Sequence, residues 1–364
     1  MAAFKDLEFF EINSSTQSTR LSKIAAFDLD YTLIKTKSGK KFPRDKNDWV
    51  LLHDKIPEIL KNLIKQEYYI VVFSNQGGMK SADDIDNFKS KIENIGKKLD
   101  FGLHVFASLK GGFYRKPHTG MWHEFYNKYE TKVKKCDCFY CGDAAGREKD
   151  FATSDFHFAL NIGIPFIVPE ALYDTDDHKI KALVSVPKPE RFDFTKETPN
   201  NKFPNINFKG KQKMVIMCGA MASGKSTLAK YLEVSSNQEA IVAHLDLLKT
   251  KPKMMKFCKD ILTAQKSLIV DATNATAANR KEYIDLIDNR NIDVYLILIN
   301  ISKAESMYLN EYRVEISKGE QKRIPDVAIH KFYKSLELPD ASMEGIKLIF
   351  NYKPSFSKQQ ELYF

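Results

Sequence analysis

The sequence predicts an α/β protein of two domains: a Rossmann-like parallel sheet in the first half of the chain and a P-loop parallel sheet in the second. Short β-branched apolar runs alternate with stretches of helical spacing in both halves. This order is typical of a parallel sheet covered by helices on both faces. A glycine-rich loop that ends in Gly-Lys-Ser follows one of the second-half runs, as a P-loop does. With 364 residues, the chain is long enough for two separate cores.

The predicted strands and domain boundaries follow from the positions of these runs. Strands are predicted at 24–27, 69–73, 138–141 and 165–168 in the first half, and at 214–218, 240–245, 267–270 and 294–299 in the second. Residues 186–210 contain four prolines and a polar stretch, a composition that favours a linker. We therefore predict a first domain at 1–195, a linker at 196–210 and a second domain at 211–364, with a loose tail from about Pro354.

Composition narrows the class of protein. The formal charge of +9 favours a polyanionic partner, nucleic acid first, although a lysine-rich surface is the plain alternative. No apolar run approaches the ~18–20 residues of a membrane helix, and the first residues lack the apolar segment of a secretory signal. The five cysteines fit a reducing compartment. We expect a soluble intracellular protein with no membrane partner.

The first candidate site begins where the run 24–27 ends. Asp28 and Asp30 follow this run two residues apart, so both carboxylates point to one side while Leu29 points toward the core. Ligands of open α/β sheets bind at the carboxyl ends of the strands. We predict that Asp28 attacks a phosphorus atom, and that Asp30 protonates the leaving oxygen and then activates water.

Two further groups of this site follow along the chain. Ser74, at the end of the run 69–73, offers a hydroxyl for phosphoryl oxygens, with Asn75 in support beside it. Lys116 offers a cation that neutralises charge between Asp28 and the phosphate. Taken singly, these residues have ordinary alternatives, namely a serine turn and a surface lysine.

A metal site is predicted after the run 138–141. After that run come Gly142 and Asp143, and Asp143 is predicted to bind magnesium together with Asp28 and Asp30. Nearby Arg147 is predicted to contact a backbone phosphate of a substrate. A lone loop carboxylate would mean little, but four groups in this order, three of them at strand ends, favour one phosphate-handling centre.

The order of Asp28 with Asp30, then Ser74, Lys116 and Asp143, resembles the four motifs of the haloacid-dehalogenase phosphatase superfamily. The longer strings at 73–78, 115–122 and 142–147 resemble the 3′-phosphatase domain of the eukaryotic polynucleotide kinase 3′-phosphatases. The resemblance implies that residues 1–195 form a haloacid-dehalogenase-like domain that removes 3′-phosphates from damaged DNA ends.

The second candidate site is the loop from Gly219 to Ser226, which has the full spacing G-x-x-x-x-G-K-S. Glycines such as Gly219 and Gly224 let backbone N–H groups converge on phosphate oxygens. Lys225 is predicted to reach the β- and γ-phosphates of ATP, and the Ser226 hydroxyl to bind magnesium. Thr227, next along the chain, completes the predicted ATP-binding set.

Later strand ends suggest how an acceptor hydroxyl is activated. Asp246 closes the run 240–245 and is predicted to take the proton of the attacking hydroxyl. Asp271 and Asn274 follow another strand and are predicted to support the site. Arg313, on a predicted helix, is expected to stabilise the charge of the transferring group. The basic segment 318–323 either assists Arg313 or is a solvated helix end.

This arrangement resembles the kinase domain of the same family, so the resemblance extends from about residue 20 to about residue 350. Three departures stand out. The P-loop lacks the family's proline-glycine turn, Ala272 replaces the usual asparagine, and Glu311 occupies a position where arginine is expected. The family's N-terminal phosphopeptide-binding domain is expected to be absent, since only about twenty residues precede the first predicted strand.

The sequence thus predicts a bifunctional DNA end-processing enzyme that uses Mg²⁺ and ATP. It would remove 3′-phosphates through an aspartyl-phosphate and phosphorylate 5′-hydroxyls, which prepares strand breaks for a ligase. The expected partners are DNA ends, or RNA ends, and a repair scaffold or ligase. We expect a monomer, and the resemblance implies a nuclear location. A small-molecule phosphatase fused to a kinase, an RNA end-repair enzyme and a non-catalytic scaffold remain alternatives.

Overall fold

A computed structural model describes residues 7–17, 23–129, 133–173, 204–288, 290–354 and 362–364. The chain divides into two compact units. The first comprises Met1–Arg191, Val314–Lys322 and Gln360–Phe364; the second comprises Phe192–Arg313 and Arg323–Gln359. The segment predicted as the second domain thus contributes two short pieces to the first unit. Residues 196–203 of the predicted linker and 355–361 of the predicted tail lie outside the described residues.

The first unit contains a six-stranded sheet flanked by helices. Among its described residues, the strands of this unit are β1 Phe9–Asn13, β2 Lys23–Phe27, β3 Ile34–Lys35, β4 Val50–Leu51, β5 Tyr68–Asn75, β6 His104–Ser108, β7 Cys138–Cys141 and β8 Phe166–Ile167. Its helices are α1 Ile56–Lys65, α2 Ala82–Leu99, α3 Gly120–Lys128, α4 Ser154–Ile162 and α5 Pro169–Tyr173. The sheet order is β1-β6-β5-β2-β7-β8, while β3 and β4 form a separate antiparallel pair.

All neighbours in this sheet are parallel except β1, which runs antiparallel to β6 at the edge. The sequence predicts β2, β5, β7 and β8 but misses β1 and β6. The residues of β1 are only half buried, so the strand lacks the continuous apolar run of a central strand. β6 is fully buried but short and starts with a histidine.

Alternate side chains of the central strands point to opposite faces of the sheet, so that a hydrophobic core forms on each face. Ala25 and Phe27 of β2 pack with α1 and α2 on one face, and Ile24 and Ala26 pack with α3 and α4 on the other. Because both faces are covered, the polar residues that follow these strands gather at the carboxyl edge of the sheet.

The second unit has a five-stranded parallel sheet. Its strands are β9 Lys213–Cys218, β10 Ala240–His244, β11 Ser267–Asp271, β12 Asp293–Ile299 and β13 Leu348–Tyr352, in the order β10-β11-β9-β12-β13. Its helices are α6 Lys225–Ser235, α7 Leu245–Leu248, α8 Lys251–Thr263, α9 Ala277–Ile284, α10 Lys303–Ile316, α11 Asp326–Ser335 and α12 Ala341–Glu344. The last turn of α10 falls in the segment that belongs to the first unit.

Central strand β9 leads into the P-loop. Every residue of β9 is buried, and its alternate side chains enter the cores on the two faces of the sheet. The loop from Gly219 to Gly224 therefore leaves the middle of the sheet at its carboxyl edge, and α6 begins directly after it. Among the described residues, no helix combines the length and the apolar character that crossing a membrane requires.

Candidate functional site

The first centre forms because β2 lies between β5 and β7. The Asp28 N–H donates to the Cys141 carbonyl oxygen at 2.8 Å, which fixes the end of β2 against the end of β7. Ser74 is the penultimate residue of β5 and is fully buried. Asp28, Ser74 and Asp143 thereby line one cavity of about 1260 Å³, together with Asp30 and Lys116.

Lys116 is buried at the base of this cavity. Its ammonium nitrogen lies 2.5 Å from Asp28 Oδ1, 2.7 Å from Asp155 Oδ1 and 2.8 Å from the Tyr140 hydroxyl. Burial alone lowers the pKa of Lys116, but the carboxylates of Asp155 and Asp28 outweigh it and raise that pKa above its ordinary value. Lys116 is therefore a stable cation in contact with the predicted nucleophile.

Three carboxylates converge beside this cation. Asp28, Asp143 and Asp155 each offer an oxygen, and these oxygens all lie within 4.8 Å of one another. Burial raises the pKa of Asp28 well above its usual range, against the lowering effect of Lys116. Burial and the charge of Asp155 raise the pKa of Asp143 to about 6. Three carboxylates beside one ammonium would carry excess negative charge when ionised, and oxygen ligands of this kind suit Mg²⁺.

Asp155 was not predicted from the sequence. It lies in the first turn of α4 and is 2% exposed. Gly142 permits its position, because a Cβ at residue 142 would lie 2.5 Å from the Asp155 Cγ. The glycine before Asp143 was the available signal, although it does not say which residue approaches it.

The carboxylate of Asp30 has different partners. Its Oδ2 accepts a hydrogen bond from Gln76 Nε2 at 2.7 Å, and its Oδ1 lies 3.4 Å from the ammonium of Lys91 on α2. Gln76 also donates to the Ser74 hydroxyl at 2.7 Å. Asp30, which the sequence predicts as a third magnesium ligand, is not in the three-carboxylate group found among the described residues.

Asn75 and Arg147, which the sequence predicts to support the first centre, have different surroundings. Asn75 clamps the backbone of Lys116, because its amide donates to the Lys116 carbonyl at 3.1 Å and its oxygen accepts from the Lys116 N–H at 3.0 Å. The guanidinium of Arg147 pairs with Asp150 at 2.8 Å and with Glu170 at 3.2 Å. A substrate phosphate would have to compete with these two carboxylates for Arg147.

The mouth of the cavity combines exposed aromatic rings with cations. Tyr31, Phe42 and Phe151 line it and are 41%, 73% and 82% exposed. The ammonium of Lys41 lies 3.7 Å from the centroid of the Phe151 ring, a cation–π contact. Further cations line the same cavity at Lys35, Arg44, Lys46 and Lys149.

The second centre is the P-loop of the second unit. The Gly219 N–H donates to the Thr273 carbonyl at 3.2 Å, which holds the start of the loop against the end of β11. Gly224 has a φ of 87° and directly precedes α6, a backbone conformation that favours glycine. Ser226 and Thr227 lie exposed in the first turn of α6.

Lys225 points back into this loop. Its ammonium donates to the Ala220 carbonyl at 2.5 Å, and burial lowers its pKa to about 8 despite the opposing charges of Asp271 and Asp246. Burial also lowers the pKa of Arg313, with Asp246 acting against the shift. Lys225, Asp246, Asp271 and Arg313 are therefore close enough for their charges to interact.

Asp271 and Asn274 support the P-loop from β11. His244 Nδ1 lies 2.7 Å from Asp271 Oδ2, which joins the ends of β10 and β11. The Asn274 amide donates to the Met217 carbonyl at 2.8 Å, and Arg280 donates to the Asn274 carbonyl at 3.2 Å. Asn274 therefore fixes the strand that carries the loop, a structural support.

The basic segment at 318–323 ends in Arg323, whose guanidinium forms ion pairs with carboxylates. Arg323 donates to Glu311 at 2.5 Å and contacts both carboxylate oxygens of Asp326, at 2.8 and 3.0 Å. Glu311, where the sequence comparison with the family expects arginine, is thus a partner of Arg323. The Arg323 guanidinium is therefore held by two carboxylates, and Glu311 supplies one of them.

The two sheets and their two strand-end centres define a two-domain α/β protein with a P-loop. A family model described as "Polynucleotide kinase 3 phosphatase" matches residues 23–173, and one described as "AAA domain" matches residues 214–339. The bifunctional polynucleotide phosphatase/kinase of Schizosaccharomyces pombe is 34% identical over 324 residues, which are 88% of this chain and 77% of that protein.

A second relative covers a smaller share of the chain. The polynucleotide 3′-phosphatase of Saccharomyces cerevisiae is 30% identical over 206 residues, which are 41% of this chain and 87% of that protein. The match to the Schizosaccharomyces pombe protein covers 88% of this chain and therefore includes both domains, and its 34% identity shows that the two proteins share a family. This chain belongs to the family of bifunctional polynucleotide phosphatase/kinases.

Proposed function

We propose that this chain is a DNA end-processing enzyme with two activities, a polynucleotide 3′-phosphatase and a polynucleotide 5′-hydroxyl kinase. The observation that carries the proposal is the buried Asp28, held by Lys116 inside a group of three carboxylates, on the same chain as an intact P-loop. Family membership supports the same pair of activities.

In the phosphatase centre, Asp28 is the proposed nucleophile. One of its oxygens attacks the phosphorus of a 3′-phosphate, and the bond from phosphorus to the 3′-oxygen breaks. Burial raises the pKa of Asp28, and the Lys116 ammonium against Oδ1 opposes that rise, which favours the ionised form that this attack needs. Mg²⁺ held by Asp28 and Asp143 would supply positive charge opposite the phosphoryl oxygens. Ser74 lines the same cavity, and its hydroxyl is the proposed donor to one of those oxygens.

Asp30 carries the proton in both halves of the reaction. It first gives a proton to the leaving 3′-oxygen, and it then takes one from the water that attacks the phosphorus and releases Asp28. Gln76 and Lys91 hold the Asp30 carboxylate between them, at 2.7 and 3.4 Å. These two contacts restrict the orientation of the carboxylate, as repeated proton transfer requires.

The kinase centre uses ATP as its phosphate donor. The backbone N–H groups between Gly219 and Gly224, with the Lys225 ammonium, are the proposed binding groups for its phosphates, and Ser226 is the proposed magnesium ligand. Asp246 is exposed at the start of α7, where it can take the proton of a 5′-hydroxyl. Arg313 is proposed to stabilise the charge on the transferring group.

The mouth of the phosphatase cavity supports a polymeric substrate. Exposed aromatic rings stack on bases, and cations beside them pair with backbone phosphates. Free metabolites need neither feature. The preference for DNA over RNA, a repair scaffold or ligase as partner and the monomeric state remain predictions. A place in the nucleus is what the resemblance implies.

An oligonucleotide assay tests the proposal. Purified protein is given a DNA strand with a 3′-phosphate and a 5′-hydroxyl, its RNA counterpart, and a nucleoside 3′-monophosphate, each with Mg²⁺ and ATP. The expected result is loss of the 3′-phosphate and gain of a 5′-phosphate on DNA, with rates at low substrate that fall steeply as salt rises. Faster turnover of the monophosphate, indifferent to salt, would favour a small-molecule enzyme.

The aromatic rings at the mouth give a first specific prediction. Phe42→Ala with Phe151→Ala is expected to raise the KM for a 3′-phosphorylated oligonucleotide, since stacking contributes about 1–3 kcal/mol per base. The KM for the nucleoside 3′-monophosphate and the kinase rate should change little. Phe257→Ala, an exposed ring on α8, is the matched control. Equal KM values for wild type and double variant would exclude the stacking role.

A further inference from the structure

Tyr140 on β7 reaches the reactive end of Lys116, although the mechanism above gives it no role. It is fully buried, and its hydroxyl oxygen lies 2.8 Å from Lys116 Nζ and 3.1 Å from Asp155 Oδ1. The backbone carbonyl of Phe73 lies 3.4 Å away on another side. The phenol therefore occupies the junction between the cation and two acceptors.

The hydrogen-bond donors and acceptors at this junction are matched in number. An ammonium has three hydrogens and no lone pair. The three acceptors within reach of Lys116 are Asp28 Oδ1, Asp155 Oδ1 and the Tyr140 hydroxyl, at 2.5, 2.7 and 2.8 Å. Tyr140 must therefore accept from Lys116, and its own proton is directed to Asp155 or to the Phe73 carbonyl. The three hydrogens of the ammonium are all satisfied.

The position of the Tyr140 hydroxyl is itself fixed by packing. Its ring packs against Phe158, with ring centroids 5.1 Å apart, and against Phe166, with centroids 6.5 Å apart. β7 pairs with β2 so that Tyr140 is opposite Ala26, two residues before Asp28. The hydroxyl therefore cannot follow Lys116 if the ammonium moves.

We propose that Tyr140 is a positioning residue of the phosphatase, which fixes the Lys116 ammonium against Asp28. The proposal rests on the phosphatase activity proposed above and deepens it. Without the hydroxyl, one hydrogen of a buried ammonium loses its acceptor, and a buried donor without a partner is costly. The ammonium then shifts toward the remaining carboxylates, and its contact with Asp28 is no longer held at one distance.

Tyr140→Phe removes the hydroxyl and keeps the ring. We expect kcat for 3′-phosphate removal to fall about tenfold, with KM within about twofold, because the contacts at the cavity mouth are unchanged. Tyr69→Phe is the matched control: it also removes a buried hydroxyl of this unit, one that lies 2.8 Å from His104 Nδ1. Its kcat should stay within about twofold of wild type. A kcat for Tyr140→Phe as high as that control overturns the proposal.

A double-mutant cycle separates positioning from general loss of packing. Tyr140→Phe is combined with Lys116→Met, and the midpoint of thermal unfolding is measured for all four proteins. If the hydroxyl acts through Lys116, Tyr140→Phe lowers the midpoint by a few degrees in wild type and by much less beside methionine. Equal shifts in both backgrounds contradict the proposal. If wild type released no phosphate, the proposed activity would fail, while the cycle would still test the contact.

Discussion

Replacing Asp28 with asparagine is expected to lower the rate of 3′-phosphate removal by on the order of 10⁴-fold or more, and to leave the 5′-kinase rate unchanged. Asparagine keeps the shape of the side chain but removes the carboxylate that attacks phosphorus. It also removes the charge that faces Lys116 at 2.5 Å. Phosphate release and 5′-phosphorylation, followed on one labelled oligonucleotide, measure both rates in the same protein.

Asp45→Asn is the matched control for this substitution. Asp45 lines the same cavity but is exposed at its mouth, where its carboxylate accepts from the Asn47 N–H at 2.7 Å. The phosphatase rate of this variant should stay within a few-fold of wild type. Substantial phosphate release by folded Asp28→Asn protein would show that another group attacks phosphorus.

Replacing Lys225 with methionine is expected to lower the kinase rate by at least about 10²–10³-fold, the scale on which losing one preorganised charge-stabilising group acts. Methionine keeps the length of the side chain in its buried position, but it cannot bind phosphate oxygens. Phosphatase turnover should be unchanged, since Lys225 belongs to the second unit. The kinase is measured as transfer from ATP to a 5′-hydroxyl oligonucleotide.

Lys230→Met is the matched control on the same helix. Lys230 is exposed and pairs with Glu233 at 2.7 Å, a surface ion pair of the kind that contributes about 0–1 kcal/mol. Its kinase rate should equal that of wild type. A similar loss of activity in both variants would point to damage of α6 and not to the loss of a phosphate-binding group.

The sequence could predict the groups that lie at strand ends. In a parallel sheet covered on both faces, the residues at or just after the carboxyl end of each buried strand lie at one edge. A reader of the sequence can therefore expect Asp28, Ser74 and Asp143 to meet without knowing any distance between them. The P-loop follows the same logic, because Gly219 comes directly after buried β9.

The groups that the sequence could not predict reach the site from helices or from inside a strand. Asp155 and Lys91 lie on helices, and Tyr140 is one apolar-looking residue in a fully buried strand. Nothing local distinguishes them from surface or core residues. Their roles depend on tertiary distances, such as the approach of Asp155 to Gly142, which no spacing along the chain encodes.

Ion pairing explains why two arginines have surroundings that differ from those the sequence predicts. From the sequence, Arg147 and Arg323 are expected to be cations available to a substrate. In the structure, each of them is paired with two carboxylates. Carboxylates near in sequence supply part of each pair, at Asp150 and Asp326. Charge counts overestimate how many cations a basic protein offers to nucleic acid, because such pairs form locally.

The most direct test of two independent centres is a sealing assay with mixed variants. A nicked duplex with a 3′-phosphate and a 5′-hydroxyl at the nick is incubated with Mg²⁺, ATP, a DNA ligase and the protein. Wild type should allow the nick to be sealed, Asp28→Asn and Lys225→Met should each fail alone, and their mixture should restore sealing. A mixture that leaves the nick open, where wild type closes it, would contradict two centres that work separately.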